Sequence, residues 1–156
     1  VATKKSYNKI AMLAAKDYFF DSWLRRTIIN MVMNLIPIDR KINGIRNFSI
    51  DNTLSLCKAF MDFEKRNLIM FPEGTRSSTQ NGIKKFSSSC GYLSVKNNVP
   101  IVPICHNSGL YWKNKKFIKE SGLVKVIIGK PIYGKDAKVV TNKAYDWIKL
   151  KFNEIH

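Results

Sequence analysis

Asn67-Leu68-Ile69-Met70-Phe71-Pro72-Glu73-Gly74-Thr75-Arg76-Ser77 joins an apolar run to a turn rich in polar side chains. Residues 67–71 read as a short buried strand. Pro72 has no N–H to give a ladder, so the strand is expected to stop there. Gly74 lets the backbone turn where a side chain would clash. The loop then offers the carboxylate of Glu73, the guanidinium of Arg76 and the hydroxyls of Thr75, Ser77 and Ser78. From the residues alone two readings stand side by side. An arginine fork among hydroxyls and backbone N–H groups suits a phosphate, and the neighbouring carboxylate suits a substrate hydroxyl. Alternatively, a Glu73–Arg76 ion pair simply closes the turn.

Upstream, Ile10-Ala11-Met12-Leu13-Ala14-Ala15 reads as a first buried strand. From Phe20, apolar residues recur at Leu24, Ile28, Met31 and Leu35, which is helical spacing. That helix is either a core helix with a charged edge at Arg25 and Arg26, or an amphipathic face laying Phe19, Phe20 and Trp23 on a bilayer. Ile36-Pro37-Ile38-Asp39-Arg40-Lys41 is a short strand breaking into a basic turn. Ile50, Leu54, Cys57 and Met61 mark another helix, capped by Ser49 or Asp51.

Downstream, Gln80-Asn81-Gly82 reads as a turn. Ser87-Ser88-Ser89 starts a helix through Leu93 and Val95 that ends near Asn97-Asn98. Val99-Pro100-Ile101-Val102-Pro103-Ile104-Cys105 is a buried strand whose two prolines argue for an edge or an irregular ladder. Leu123-Val124-Lys125-Val126-Ile127-Ile128-Gly129 is a further strand. Thr141 is placed to cap a last helix with Ala144, Ile148 and Phe152 on one face and Trp147 near it. Strands alternating with helices predict an α/β fold: one domain over residues 1–156, with a central mixed sheet flanked by helices.

A chain of 156 residues is long enough for one domain with a core. Its 27 Lys and Arg against 11 Asp and Glu give a net charge of +16. Such a field attracts nucleic acid, anionic lipid or phosphorylated small molecules without choosing among them. The basic stretch after Trp112, with Phe117 inside it, is a contact for one of these or a solvated loop. Cys57, Cys90 and Cys105 form no CxxC pair, which points to a reducing compartment and no disulfide framework. With His106 and His156 as the only histidines, no zinc site is expected. No stretch approaches the roughly 18–20 apolar residues of a membrane span. No signal-peptide pattern opens the chain, and Val1 in place of Met suggests a processed or truncated product.

Taken together, these blocks resemble the glycerolipid acyltransferase family, which includes the lysophosphatidic acid acyltransferases. Residues 71–77 match its third motif in full, Ile36-Pro37-Ile38-Asp39-Arg40 is similar to its second, and residues 99–104 match its fourth. Ile128-Gly129-Lys130-Pro131-Ile132 resembles the strand end that follows. The order holds from about Ile10 to Ile132.

The resemblance implies transfer of a fatty acyl group from acyl-CoA or acyl carrier protein to a lysophospholipid or glycerol-phosphate hydroxyl. By that resemblance Glu73 holds a glycerol hydroxyl and Arg76 the phosphate. Gly74, Thr75 and Ser77 complete the loop, and Arg40 is a second phosphate contact. Val99, Pro100, Ile101, Val102 and Pro103 are expected to shape the acyl side. No metal or redox cofactor is implied, nor any specific nucleic acid. The expected place of action is the cytoplasmic surface of an anionic membrane.

Two departures stand out. The family's catalytic His-x4-Asp, where His is the general base, is absent upstream of residues 36–40. The expectation is therefore a chain that begins past its catalytic residues, binds acceptor and is inactive alone. An inactive phospholipid-binding relative is the alternative, and a basic nucleic-acid-binding domain rests only on charge and on Trp112, Lys113, Lys115, Lys116 and Phe117. His106, at the end of a strand, is weighed as a substitute base against a structural role. Secondly, Phe86-Ser87-Ser88-Ser89 stands where the family often has Phe-Lys-x-Gly, which is expected to alter the helix start.

Overall fold

The structure, a computed structural model, describes residues 9–15, 27, 34–38, 41–42, 45–46, 50–62, 67–74, 82–112 and 120–155. The chain divides into two compact units, Val1–Phe71 and Pro72–His156.

In the first unit the elements run β1 (Ile10–Ala15), β2 (Leu35–Ile38), β3 (Lys41–Ile42), β4 (Ile45–Arg46), α1 (Ile50–Asp62) and β5 (Asn67–Ile69). β1 is the middle strand of a parallel sheet in the order β2-β1-β5. Leu13 stands opposite Ile36, and Ala11 opposite Leu68. Parallel neighbours need a crossover rather than a hairpin. α1 lies on the return from β2 to β5 and packs against both. Its predicted stripe is present, with Leu54 and Cys57 buried. The adjacent residues Leu35 and Ile36 are both buried, as are Ala11 and Ala14 of opposite parity. Residues pointing to both faces of this sheet are therefore covered, as a parallel sheet requires.

Several sequence readings change here. The helical spacing from Phe20 overshoots at Leu35, which begins β2 opposite Met12. An isolated apolar residue fits a 3.6 or a 2.0 period equally, and pairing with β1 decides. Thr27 is helical; Phe20, Leu24, Ile28 and Met31 lie outside the described residues. The basic turn after Ile38 contains a short antiparallel pair, β3 with β4. Asp51 lies inside α1 rather than before it, and Ser49 is outside the described residues. β5 stops at Ile69, two residues before Phe71, because its ladder to β1 reaches only Met12↔Ile69. Phe71 is exposed.

In the second unit the elements are α2 (Ser89–Asn97), β6 (Ile104–His106), α3 (Ser108–Tyr111), β7 (Val126–Ile128) and α4 (Ala137–Ile155). α2 packs on α4. A Cβ at Gly91 would lie 2.0 Å from the Ala137 carbonyl oxygen, so the two helices meet where a side chain is missing. α2 ends where predicted, near Asn97-Asn98, and the structure adds how: Asn98 is left-handed (φ 52°), and the Val99 N–H returns to the Ser94 carbonyl at 3.0 Å. Thr141 does not cap α4. It sits inside the helix, buried, with its hydroxyl donating to the Ala137 carbonyl at 2.7 Å. Asp136 takes the capping role: its Oδ1 accepts the Val139 N–H at 2.8 Å.

β6 and β7 are antiparallel, with Ile104 opposite Ile128 and His106 opposite Val126. The strand predicted over residues 99–105 is an interrupted ladder. Ile101 and Ile132 exchange two hydrogen bonds (3.0 and 2.8 Å), and the Pro103 carbonyl accepts from Gly129 at 2.9 Å. Pro100 and Pro103 cannot donate, so only residues 104–106 pair regularly. Nor is the strand buried throughout: Cys105 is covered, whereas Val102 and Ile104 are exposed. Residues 123–125 are held by Asn107, through its backbone as well as its side chain: its N–H donates to the Lys125 carbonyl at 3.3 Å. Asn107, buried, donates from Nδ2 to the Leu123 carbonyl (3.4 Å) and accepts the Lys125 N–H at Oδ1 (2.8 Å). The same amide group donates to the Ile155 carbonyl at the end of α4 (3.5 Å).

The α/β class is as predicted, and parallel and antiparallel ladders both occur. Among the described residues, no helix is long and apolar enough to cross a membrane.

Candidate functional site

The turn at Pro72, Glu73 and Gly74 opens the second unit. Gly74 has φ +69°, a conformation that residues with a Cβ rarely adopt. Glu73 Oε2 accepts the Lys84 N–H at 3.1 Å. The Pro72 carbonyl accepts the Ser87 N–H at 3.0 Å. These two hydrogen bonds tie Pro72 and Glu73 to Ser87 and Lys84. Gly82, in the predicted turn, has φ +66°. A carboxylate with one oxygen fixed by a backbone N–H has a set orientation and can still accept further donors.

Among the predicted acceptor contacts, Glu73 and Gly74 therefore sit in a turn tied to residues 84–87. Thr75, Arg76 and Ser77 lie outside the described residues, as does the predicted Glu73–Arg76 pair. Arg40 belongs to the first unit and also lies outside them. The Lys84 partner was not legible in the sequence. It contributes a backbone group eleven positions away, and backbone donors carry no residue signature.

The segment after Gly82 leads into α2 through the serines that depart from the family pattern. Ser87 Oγ accepts the Ser89 N–H at 3.2 Å and pairs with Ser89 Oγ at 2.7 Å. Ser88, at the N-cap, makes no side-chain cap bond. The helix start is thus held from one residue further out. Beside it, the Phe86 ring meets Tyr145 of α4 edge-on, with centroids 5.2 Å apart. A cleft of about 270 Å³ opens there, lined by Lys85, Phe86, Asn142, Tyr145 and Asp146.

The predicted acyl-side residues do not share one environment. Val99, Pro100 and Ile101 are half-buried, Val102 is exposed and Pro103 is buried. His106 ends β6 on the exposed side, with Nδ1 2.8 Å from the Ser108 hydroxyl. Burial pushes the Cys105 thiol up, partly offset by the His106 backbone N–H. Burial alone pushes Cys57 up to about 11. Nucleophilic cysteines need the opposite shift, so these two read as packing residues. Among the described residues, no three His, Cys, Asp or Glu side chains gather to hold a metal ion.

A family model described as Acyltransferase matches residues 1–107. The chain is 31% identical over 93 residues to a 1-acyl-sn-glycerol-3-phosphate acyltransferase of Pseudomonas aeruginosa, an alignment covering 56% of this chain and 36% of that protein. It is 32% identical over 100 residues to the chloroplastic 1-acyl-sn-glycerol-3-phosphate acyltransferase BAT2 of Brassica napus, covering 62% of this chain and 29% of that one. The chain thus spans about a third of the length of the curated relatives it matches. In fold it is similar to the crystal structure of the 1-acyl-sn-glycerophosphate (LPA) acyltransferase PlsC from Thermotoga maritima. The TM-score is 0.67 at 14% identity, over 94% of this chain and 56% of the other.

Proposed function

This chain belongs to the glycerolipid acyltransferase family, and from that premise we propose that it carries the acceptor-binding part of a lysophospholipid acyltransferase. One observation carries the reading: the family match over residues 1–107 encloses the blocks at 36–40, 71–77 and 99–104 in order.

The reaction joins an acceptor hydroxyl oxygen to the carbonyl carbon of an acyl thioester on coenzyme A or acyl carrier protein. The C–S bond breaks, an ester C–O bond forms, and the hydroxyl proton leaves by way of a base to the departing thiolate. No metal or redox cofactor is needed for that balance. Glu73, oriented by the Lys84 N–H, meets a glycerol hydroxyl. Arg76 takes the phosphate as a fork, with Thr75 and Ser77 next to it in sequence and Arg40 as a second contact. Gly74 supplies the left-handed turn that aims the loop. Residues 99–103 line the acyl side. The acceptor is met at an anionic membrane surface, where a chain of +16 is drawn.

The base is the missing part. The two histidines of these 156 residues, His106 and His156, both lie downstream of residues 36–40, and the partner of His106 Nδ1 is a serine hydroxyl. Accordingly, the 156-residue chain binds the acceptor and does not transfer the acyl group by itself. The same feature favours the second reading, an inactive phospholipid-binding relative.

Labelled acyl-CoA and lysophosphatidic acid separate these. The chain alone is expected to show no transfer above background, and the chain joined to an upstream segment bearing His-x4-Asp to show it. Transfer by the chain alone would sink the missing-base reading; none from the joined protein favours the inactive relative. Arg76→Ala is expected to weaken lysophosphatidic acid binding about tenfold or more, the loss of a charge-assisted contact. Duplex DNA binding should be almost unchanged. An equal fall in both would leave only a general electrostatic surface.

A further inference from the structure

We propose that Gly91 of α2 is a positioning residue for Glu73, acting through the contact of α2 with α4 and through Ser87. This role rests on the acceptor reading of Glu73 and adds what holds its turn in place. Gly91 is buried in the first turn of α2. A Cβ there would lie 2.0 Å from the Ala137 carbonyl oxygen and 2.4 Å from Thr141 Oγ1, where real Cβ atoms keep at least 3.0 Å. Those two oxygens belong to one hydrogen bond of 2.7 Å, and the nearer is backbone. Neither can swing aside, so any larger residue at 91 drives α2 away from α4.

The start of α2 carries the hold on the acceptor turn. Ser87 Oγ accepts the Ser89 N–H at 3.2 Å and pairs with Ser89 Oγ at 2.7 Å, and the Cys90 thiol donates to the Ser87 carbonyl at 3.7 Å. Ser87 therefore follows the helix. Its own N–H donates to the Pro72 carbonyl at 3.0 Å, next to Glu73. Three residues before Ser87, the Lys84 N–H holds Glu73 Oε2 at 3.1 Å. Between them in sequence, Phe86 rests its ring on Tyr145 of α4. The segment 84–87 is thus seated on α4 by a ring and fastened to α2 by a serine. Parting the helices pulls these two anchors in different directions and lengthens the bonds at Lys84 and Ser87, which weaken steeply with distance and angle. A misplacement of about 1 Å is enough to cost a binding or reacting geometry heavily. A packing role alone would cost stability and leave Glu73 no worse placed than any other residue.

Two measurements on the full 156-residue chain test this. The first needs no ligand: hydrogen exchange at the Lys84 and Ser87 amides, followed by NMR. Gly91→Ala should quicken both about tenfold or more. Gly134→Ala is the control. A Cβ there meets Val140 at 2.5 Å and no residue of α2, so it crowds the same unit and should change the two amides by less than about twofold. The second is a double-mutant cycle on lysophosphatidic acid binding. Glu73→Ala should weaken it about tenfold and Gly91→Ala about fivefold. Together they should lose little more than Glu73→Ala alone, because the carboxylate that Gly91 places is already gone. Circular dichroism checks that each variant is folded. If Gly91→Ala does not fold, Ser87→Ala decides. It removes both Oγ contacts with the helix contact intact, and should quicken the same amides in the same direction. Amides as slow as in the native chain overturn the proposal, and so do losses that multiply in the cycle. Full affinity in Glu73→Ala would instead sink the acceptor role of Glu73, and the amide comparison would still decide whether Gly91 holds the turn.

Discussion

β1 and β2 in the first unit bury residues of both parities, whereas β6 and β7 in the second are covered on one side only. Ala11, Ala14, Leu35 and Ile36 are all buried; Ile104, Val126 and Ile128 are not, although Cys105 between them is. The two sets of strands are equally aliphatic. Parallel strands arise through crossovers, which bring helices or loops back over the sheet and cover it. An antiparallel pair needs no such covering layer. The comparison teaches that an apolar strand reports a surface to be covered and does not by itself say what covers it.

The largest expected test of that contrast is Ile36→Ala against Ile128→Ala. Truncating a fully buried isoleucine costs about 2–5 kcal/mol, while the exposed one should stay within about 0.5 kcal/mol. Urea unfolding measures both, and similar losses at the two sites would erase the distinction. A smaller effect belongs to Asn107, whose side-chain amide adds to one backbone bond in holding residues 123–125. Asn107→Ala strands the carbonyl of Leu123 and the N–H of Lys125 and should cost about 1–3 kcal/mol. Hydrogen exchange at the Lys125 amide should quicken with it. A slow Lys125 amide in that variant would mean that backbone pairing, not the side chain, holds the segment.

The last effect is silent at neutral pH. The Cys57 thiol ordinarily titrates near 9.0, and burial pushes it up to about 11 in the fold. Between those values the unfolded chain loses the proton first, so the native state loses stability as pH rises from about 9 to about 11. Cys57→Ala should flatten that part of the stability–pH curve. An unaltered slope would assign the alkaline loss to other groups.

Much of the candidate site was legible in the residues. The turn at Pro72 and Gly74 was, because proline and glycine restrict the backbone locally. So were the helix over Leu54 and Cys57 and the end of α2 near Asn97-Asn98. Other features were not. Thr141 looked like a cap and is a buried hydroxyl turned onto its own helix, while Asp136 does the capping. Both types cap well, and only where the chain enters α4 separates them. The clasp of Glu73 by Lys84 and the ties made by Asn107 depend on backbone groups, which every residue carries alike.

By itself the sequence determined the α/β class, the turn at Pro72 and Gly74 and the family, since each rests on residue types at short spacing. Tertiary structure alone decided where strands end, which aliphatic faces are covered and what orients Glu73. Those outcomes depend on which distant backbone groups and side chains meet, and on the partner each strand finds, quantities that local spacing does not encode.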